Sequence, residues 1–192
     1  MTDPLIAPAH PPLTLHDGFV PLYRDETTGA MSILVRETGT ELLYVDRLSH
    51  AVGDYRLERG NLSRPQIVRF EQRGAKLFLI AANYAWRTSS PEPAQQRAVR
   101  ESFPESVLWA FDITSRSDAG FLLDATAFFL RDTFDIAGQL SKAGEGPYTI
   151  DAARSAVAAE GGAASGGPPT VNAEYWTVFT ISVPGNPCGP GS

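Results

Sequence analysis

The chain has 192 residues, with 16 Lys+Arg against 22 Asp+Glu and a formal net charge of −6. A composition that is 43% apolar and 20% charged belongs to a globular protein that can bury a core. The single cysteine, Cys188, excludes an internal disulfide framework and a cysteine-rich zinc site. The acidic balance argues against nucleic acid as a partner, because phosphate binding needs clustered Lys and Arg. No stretch approaches ~18 continuous apolar residues, so no membrane-spanning helix is expected.

Met1 to Pro12 has no basic n-region and no apolar run of signal-peptide length. On this reading the chain is either cytoplasmic or a mature piece of a longer precursor. Residues 1–16, with Pro4, Pro8, Pro11 and Pro12, read as an irregular, extended lead-in. From Gly18 the pattern turns to short apolar runs separated by turn residues, as in an antiparallel β protein. Phe19 to Tyr23 leads into the turn Asp25 to Gly29, and Met31 to Val35 follows. A short loop containing Gly39 then precedes Glu41 to Val45, which predicts a hairpin between these last two runs.

Gln66 to Glu71 places Val68 and Phe70 on one face and Arg69 and Glu71 on the other, by the two-residue period of a strand. Gly74 supplies a turn that needs positive φ. Lys76 to Ile80 returns as an apolar run, predicted to be central and covered on both faces. Ser90-Pro91 predicts a helix start, Ala98, Val99 and Phe103 share a helical face, and Pro104 ends the helix. Ser106 to Ile113 and Gly120 to Asp124 resume the strand pattern. Ala125 to Leu140 predicts one or two short helical turns, with Gly138 as a stop. A Gly/Ala/Pro-rich stretch separates this region from a closing strand over Glu174 to Ile181.

The search for chemistry yields little. Of the three histidines, His10, His16 and His50, none lies in His-Glu-x-x-His or an i, i+4 pair. No Gly-x-Ser-x-Gly elbow or phosphate-cradling glycine loop occurs. Cys188 reads as a spare thiol in a Gly/Pro-rich tail. Asp112, Asp118, Asp124, Asp132 and Asp135 read as strand ends and helix caps, and Asn61-Leu-Ser63 as a chance glycosylation match. Arg56, Arg59, Arg64, Arg69 and Arg73 are interleaved with acids and read as ion pairs organising a long loop, with an anion patch as the rival. Within that loop, Arg59-Gly60 is the candidate for a structurally committed guanidinium. Trp109, Trp176, Phe128 and Phe129 read as core. Asn83-Tyr84-Ala-Trp86-Arg87 is the exception, since a loop directly after a buried strand can present Tyr84 and Arg87 to a partner.

These segments carry a resemblance. Val52 to Leu62, Val68 to Gly74, Asn83, Ala98 to Trp109, Leu123-Asp124, Leu130-Arg131-Asp132 and Tyr148 to Val157, in that order, resemble a domain of unknown function in large bacterial proteins. Those proteins are zinc-dependent metallopeptidases, and the domain precedes their catalytic region. The resemblance implies a non-catalytic module that packs against or orients a peptidase domain of the same or a neighbouring polypeptide. It implies zinc only in that downstream domain, whose His-Glu-x-x-His has no counterpart here, so no catalytic, cofactor or metal residue is carried over. It also implies a periplasmic or secreted setting, and a chain that is a separated N-terminal part.

The expected fold is mainly β or α+β, with antiparallel sheet, one helix near 91–103 and short helical turns. The expected organisation is a lead-in 1–16, a β domain 17–157, a flexible loop 158–169, a closing strand 170–183 and a loose tail 184–192. Candidate interaction or structural residues are Arg59, Gly60, Asn83, Tyr84, Trp86 and Arg87. A rival reading is a free-standing peptide- or glycan-binding β module of the cell envelope. A hydrolase using scattered carboxylates is a third.

Overall fold

The computed structural model describes residues 13–48, 58, 60–144, 148–157 and 177–182. Within these, the strands are β1 (Leu13–His16), β2 (Leu22–Asp25), β3 (Met31–Val35), β4 (Leu42–Tyr44), β5 (Gln66–Arg73), β6 (Lys76–Ala81), β7 (Ser106–Ser117), β8 (Gly120–Asp124), β9 (Thr149–Val157) and β10 (Thr177–Ser182). Three helices, α1 (Pro93–Ser102), α2 (Thr126–Phe129) and α3 (Ile136–Lys142), complete the described elements. Eight strands form one antiparallel sheet in the order β1-β2-β3-β8-β7-β6-β5-β4, while β9 and β10 pair with each other. The fold is mainly β, as the strand pattern predicts.

The 12-residue strand β7 joins two halves of the sheet. Ser106 to Asp112 pair with β6, and Ile113 to Ser117 pair with β8, with a register shift in each stretch. Such shifts bend a strand and sharpen its twist. Leu22, Met31, Ile33, Val35 and Leu123 from one half therefore meet Val68, Phe70, Leu77 and Leu79 from the other in a single core. Phe111, on the shared strand, is 1% exposed, and its ring lies 6.0 Å from Phe70 and 5.0 Å from Phe128.

The β5–β6 hairpin follows its sequence pattern. Val68 and Phe70 are buried, Arg69 and Glu71 lie on the opposite, partly exposed face, and Gly74 turns the chain at φ +63°. Positive φ at the first of two central turn residues suits the twist of the flanking strands. In β6, Leu77 and Leu79 are buried and Ile80 on the other face is buried too, whereas Phe78 is half-exposed.

Four expectations are corrected. The β3–β4 hairpin does not form: both edges of β3 are occupied, by β2 and β8, and β4 pairs with β5 at the far end of the sheet. The Gly39 loop is instead a crossover between the halves, pinned where Gly39 N donates to Phe70 O at 2.8 Å. Leu13 to His16 of the lead-in form β1 against β2, because β2 offers an open ladder edge. Helix α1 starts at Pro93 rather than at Pro91, with Pro93 in its first turn, where a missing N–H costs nothing. Gly138 lies inside α3 and does not stop it: a Cβ there would stand 2.2 Å from the Asp135 carboxylate.

Candidate interaction site

Directly after β6 the chain enters the predicted presenting loop. Asn83 Nδ2 donates to Phe103 O at 3.1 Å, and Asn83 Oδ1 accepts from Ala85 N at 3.3 Å. This clamp brings the loop against the end of α1, where Trp86 stacks on Phe103 at 4.5 Å between centroids and 9° between planes. Both rings face solvent, Trp86 at 58% and Phe103 at 39% exposure. Arg87 Nε donates to Tyr84 O at 3.1 Å, and its guanidinium carbon lies 4.4 Å from the Tyr84 ring centroid. The Tyr84 hydroxyl is hydrogen-bonded to the Glu41 carboxylate. Tyr84 and Arg87 are thus tied to each other and to Glu41, while Trp86 keeps more than half of its surface open.

The surroundings extend this apolar character. Leu43 and Val107, on β4 and β7, are exposed at 62% and 51%. Leu43 pairs with Ile67, whose carbonyl accepts from Ala82 N at 2.8 Å, so the exposed strand residues lead into the same loop. Helix α1 buries no residue fully, and its Val99 is only half-buried. Exposed apolar side chains on β4, β7, the loop after β6 and the end of α1 make this end of the sheet the candidate interaction surface.

Beside it, Arg69 donates to both carboxylate oxygens of Glu105, at 2.6 Å each, and Glu71 pairs with Arg73 at 2.9 Å. The bidentate Arg69 bonds hold the Glu105 carboxyl below its usual range, and Arg73 first, then Arg69, does the same for Glu71. Arg69 and Arg73 are therefore ion-pairing residues.

A second polar group lies at the core boundary. The Tyr44 hydroxyl donates to Asp46 and accepts from Arg131, whose Nη2 is 3.6 Å from Asp46 Oδ1. Arg131 Nη1 donates to Phe128 O at 2.6 Å, and the guanidinium carbon sits 3.7 Å from the Phe128 centroid and 5.8 Å from that of Trp109. Burial pushes the Tyr44 hydroxyl above the usual phenol range, reinforced by its bond to Asp46. Burial also raises the Asp46 carboxyl, against the Tyr44 hydrogen bond and the Arg131 charge. The donors and acceptors satisfy one another, so the group acts as a clasp between β4, the loop after it and the α2–α3 segment. Leu48 packs with Ile136 of α3 in a small second core alongside.

Of the candidates read from sequence, Asn83, Tyr84, Trp86 and Arg87 come together. Gly60 lies elsewhere, at φ +93° with its N–H donating to Leu48 O at 2.8 Å, and Arg59 is outside the described residues. His10, His50, Arg56, Trp176, Cys188, the loop 158–169 and the tail 184–192 also fall outside them. Sequence reasoning missed Glu41 and Phe103 as members of the aromatic end, and Tyr44, Asp46 and Arg131 altogether. One signal was present: a guanidinium after the apolar run Phe128-Phe129-Leu130 needs a partner. Of the acids read as strand ends and caps, Asp124 accepts from Thr126 N at 2.9 Å and Asp132 from Ile136 N and Ala137 N at 2.8 and 2.9 Å, whereas Asp112 lies inside β7, paired with Lys76 at 2.7 Å, and Asp135 at the start of α3 makes no side-chain capping bond. Among the described residues, no group of three or more His, Cys, Asp or Glu side chains is placed to hold a metal ion. No described helix is long and apolar enough to cross a membrane.

The geometry defines an antiparallel β domain with an exposed aromatic end. The profile of a family described as Domain of unknown function (DUF5117) matches residues 60–187, more than half of the chain, and the chain belongs to that family. No curated protein and no solved structure matches.

Proposed function

We propose that this chain is a non-catalytic module that packs against and orients a zinc-dependent peptidase domain of the same or a neighbouring polypeptide. The aromatic end is its contact surface. The observation that carries this reading is the open Trp86–Phe103 stack beside a helix that buries no residue fully. Burying one large aromatic ring contributes up to about 3 kcal/mol, so leaving two of them wet is costly unless a partner covers them. In this reading zinc and hydrolysis belong to the partner, and Tyr84, Trp86 and Arg87 belong to the interface. The resemblance of the ordered segments supports the choice of partner.

The test is to mix the chain with the His-Glu-x-x-His-containing region encoded with it or beside it, and to measure association by calorimetry. Association that Trp86→Ala and Phe103→Ala weaken at least tenfold, with the melting temperature lowered by no more than a few degrees, supports the reading. No association with that region, or association indifferent to both substitutions, overturns it. A second reading, a free-standing peptide- or glycan-binding module of the cell envelope, is favoured by the flat, open indole face, which can take a ring. Retention of the chain on an immobilised polysaccharide or peptide column, lost on Trp86→Ala, would decide for it.

A further inference from the structure

Charge at the aromatic end is unevenly committed. Glu105 is held bidentately by Arg69, and Glu41 is bonded to the Tyr84 hydroxyl. Arg87 has no ion-pair partner among the described residues, and neither Arg97 nor Arg100 of α1 has one. Arg87 directly follows Trp86, and Arg100 precedes Phe103 by about one helical turn, so cations flank the stack in sequence on both sides. Glu92, bonded to Gln95, and Glu101 are the acids of the same segment. Arg87 is also immobilised: its Nε is used on Tyr84 O and its plane rests near the Tyr84 ring, which leaves its Nη atoms free to meet an acceptor. A guanidinium fixed in place beforehand loses little entropy on binding, and its fork matches a carboxylate.

We propose that the aromatic end recognises an extended polypeptide segment that carries a carboxylate next to a proline. The pyrrolidine ring lies on the exposed Trp86 face, and the carboxylate takes the two Nη atoms of Arg87. Proline suits the flat face because its segment is already extended before it docks, so little ordering remains to be done. The acid suits Arg87 because no carboxylate among the described residues pairs with it. This deepens the docking reading, on which it rests for the choice of surface, by naming the chemistry the partner must offer.

The test titrates the full chain with a synthetic peptide alternating glutamate and proline, and with its glutamine analogue, following binding by calorimetry. The glutamate peptide should bind about threefold to fivefold more tightly than the glutamine one in low salt, the weight of a solvent-exposed arginine–carboxylate pair. Arg87→Met should erase that preference while leaving the glutamine peptide's affinity in place. Trp86→Ala should weaken both peptides, and each substitution should lower the melting temperature by no more than a few degrees, the weight of one exposed contact. Equal affinity for the two peptides, binding that survives Trp86→Ala, or no binding of either peptide overturns the proposal. The docking reading fails separately, in the calorimetric mixing with the peptidase region. If that association is lost on Trp86→Ala while neither peptide binds, the surface stands and the acidic–proline chemistry falls.

Discussion

Replacing Gly120 by alanine tests how the two halves of the sheet are held together. Gly120 opens β8 at φ +129°, and a Cβ there would stand 2.3 Å from Val35 O, 2.8 Å from Arg36 Cα and 2.9 Å from Val35 C. Two costs follow. The backbone conformation is one an L side chain avoids, worth about 1–3 kcal/mol. The overlap is with backbone, which cannot rotate away as a side-chain tip can, so β8 must shift away from β3 near the Val35–Phe121 pair. Losing about two ladder hydrogen bonds there adds about 2 kcal/mol. The sum, about 3–5 kcal/mol, is a large part of the ~5–15 kcal/mol that holds a domain together. In a thermal melt it corresponds to a drop of roughly 6–20 °C for a chain of this size. Gly74→Ala is the control, because φ is +63° and nothing lies within 4 Å of the added atom. It should cost only the left-handed backbone penalty, about 1–2 kcal/mol. Urea denaturation of both variants reads the difference. Equal losses would falsify the argument that contact with Val35, rather than φ alone, makes glycine necessary at 120.

Further expectations concern charge. Burial raises Asp46, so the folded state holds its carboxyl proton more tightly than the unfolded chain does. Its contribution to stability is fully present below the unfolded value and is lost as pH rises through the folded one. Asp46→Asn should flatten that part of a stability–pH profile and cost less than ~1 kcal/mol at neutral pH, whereas Arg131→Met strands a half-buried carboxylate and should cost about 1–3 kcal/mol; equal losses in urea melts would refute this. Tyr44 is raised too, so native protein should keep this phenol protonated after unfolded chains have lost theirs. Stability should therefore fall as pH climbs past about 10, and Tyr44→Phe should remove that slope in alkaline melts. Glu105 and Glu71 are lowered, so their contribution is present above the unfolded carboxylate range and is lost as pH falls through the folded values. Because Glu105 is half-exposed, Glu105→Gln should cost no more than ~1 kcal/mol at pH 7, less in high salt, and a larger loss would count against the solvent-screened picture.

Sequence reading was strongest where the physics is local. The two-residue alternation in Gln66–Arg73, the glycine at 74 and the return run at Lys76 settle a hairpin between neighbours, and that hairpin is present. The loop from Asn83 to Arg87 was legible as exposed because it leaves a buried strand rich in polar and aromatic residues. Phe103 could not be assigned as the partner of Trp86, because nothing in a helical face says which loop will fold back on its end.

The chain's own order of residues determined that it would be a β protein, the local turns at Asp25–Gly29 and Gly74, and which faces of its hairpin strands carry apolar side chains. Tertiary structure decided which strand edges meet, so β3 and β4, adjacent in sequence, lie apart in the sheet. It also decided the partners of its charges: Tyr44 and Arg131 are 87 residues apart in sequence, and Arg69 and Glu105 are 36 apart. Periodicity repeats within a few residues and can be read along the chain. Pairing of edges, guanidinium with carboxylate and ring with ring depends on distances in space, which exist only once β7 joins the two halves of the sheet around one core.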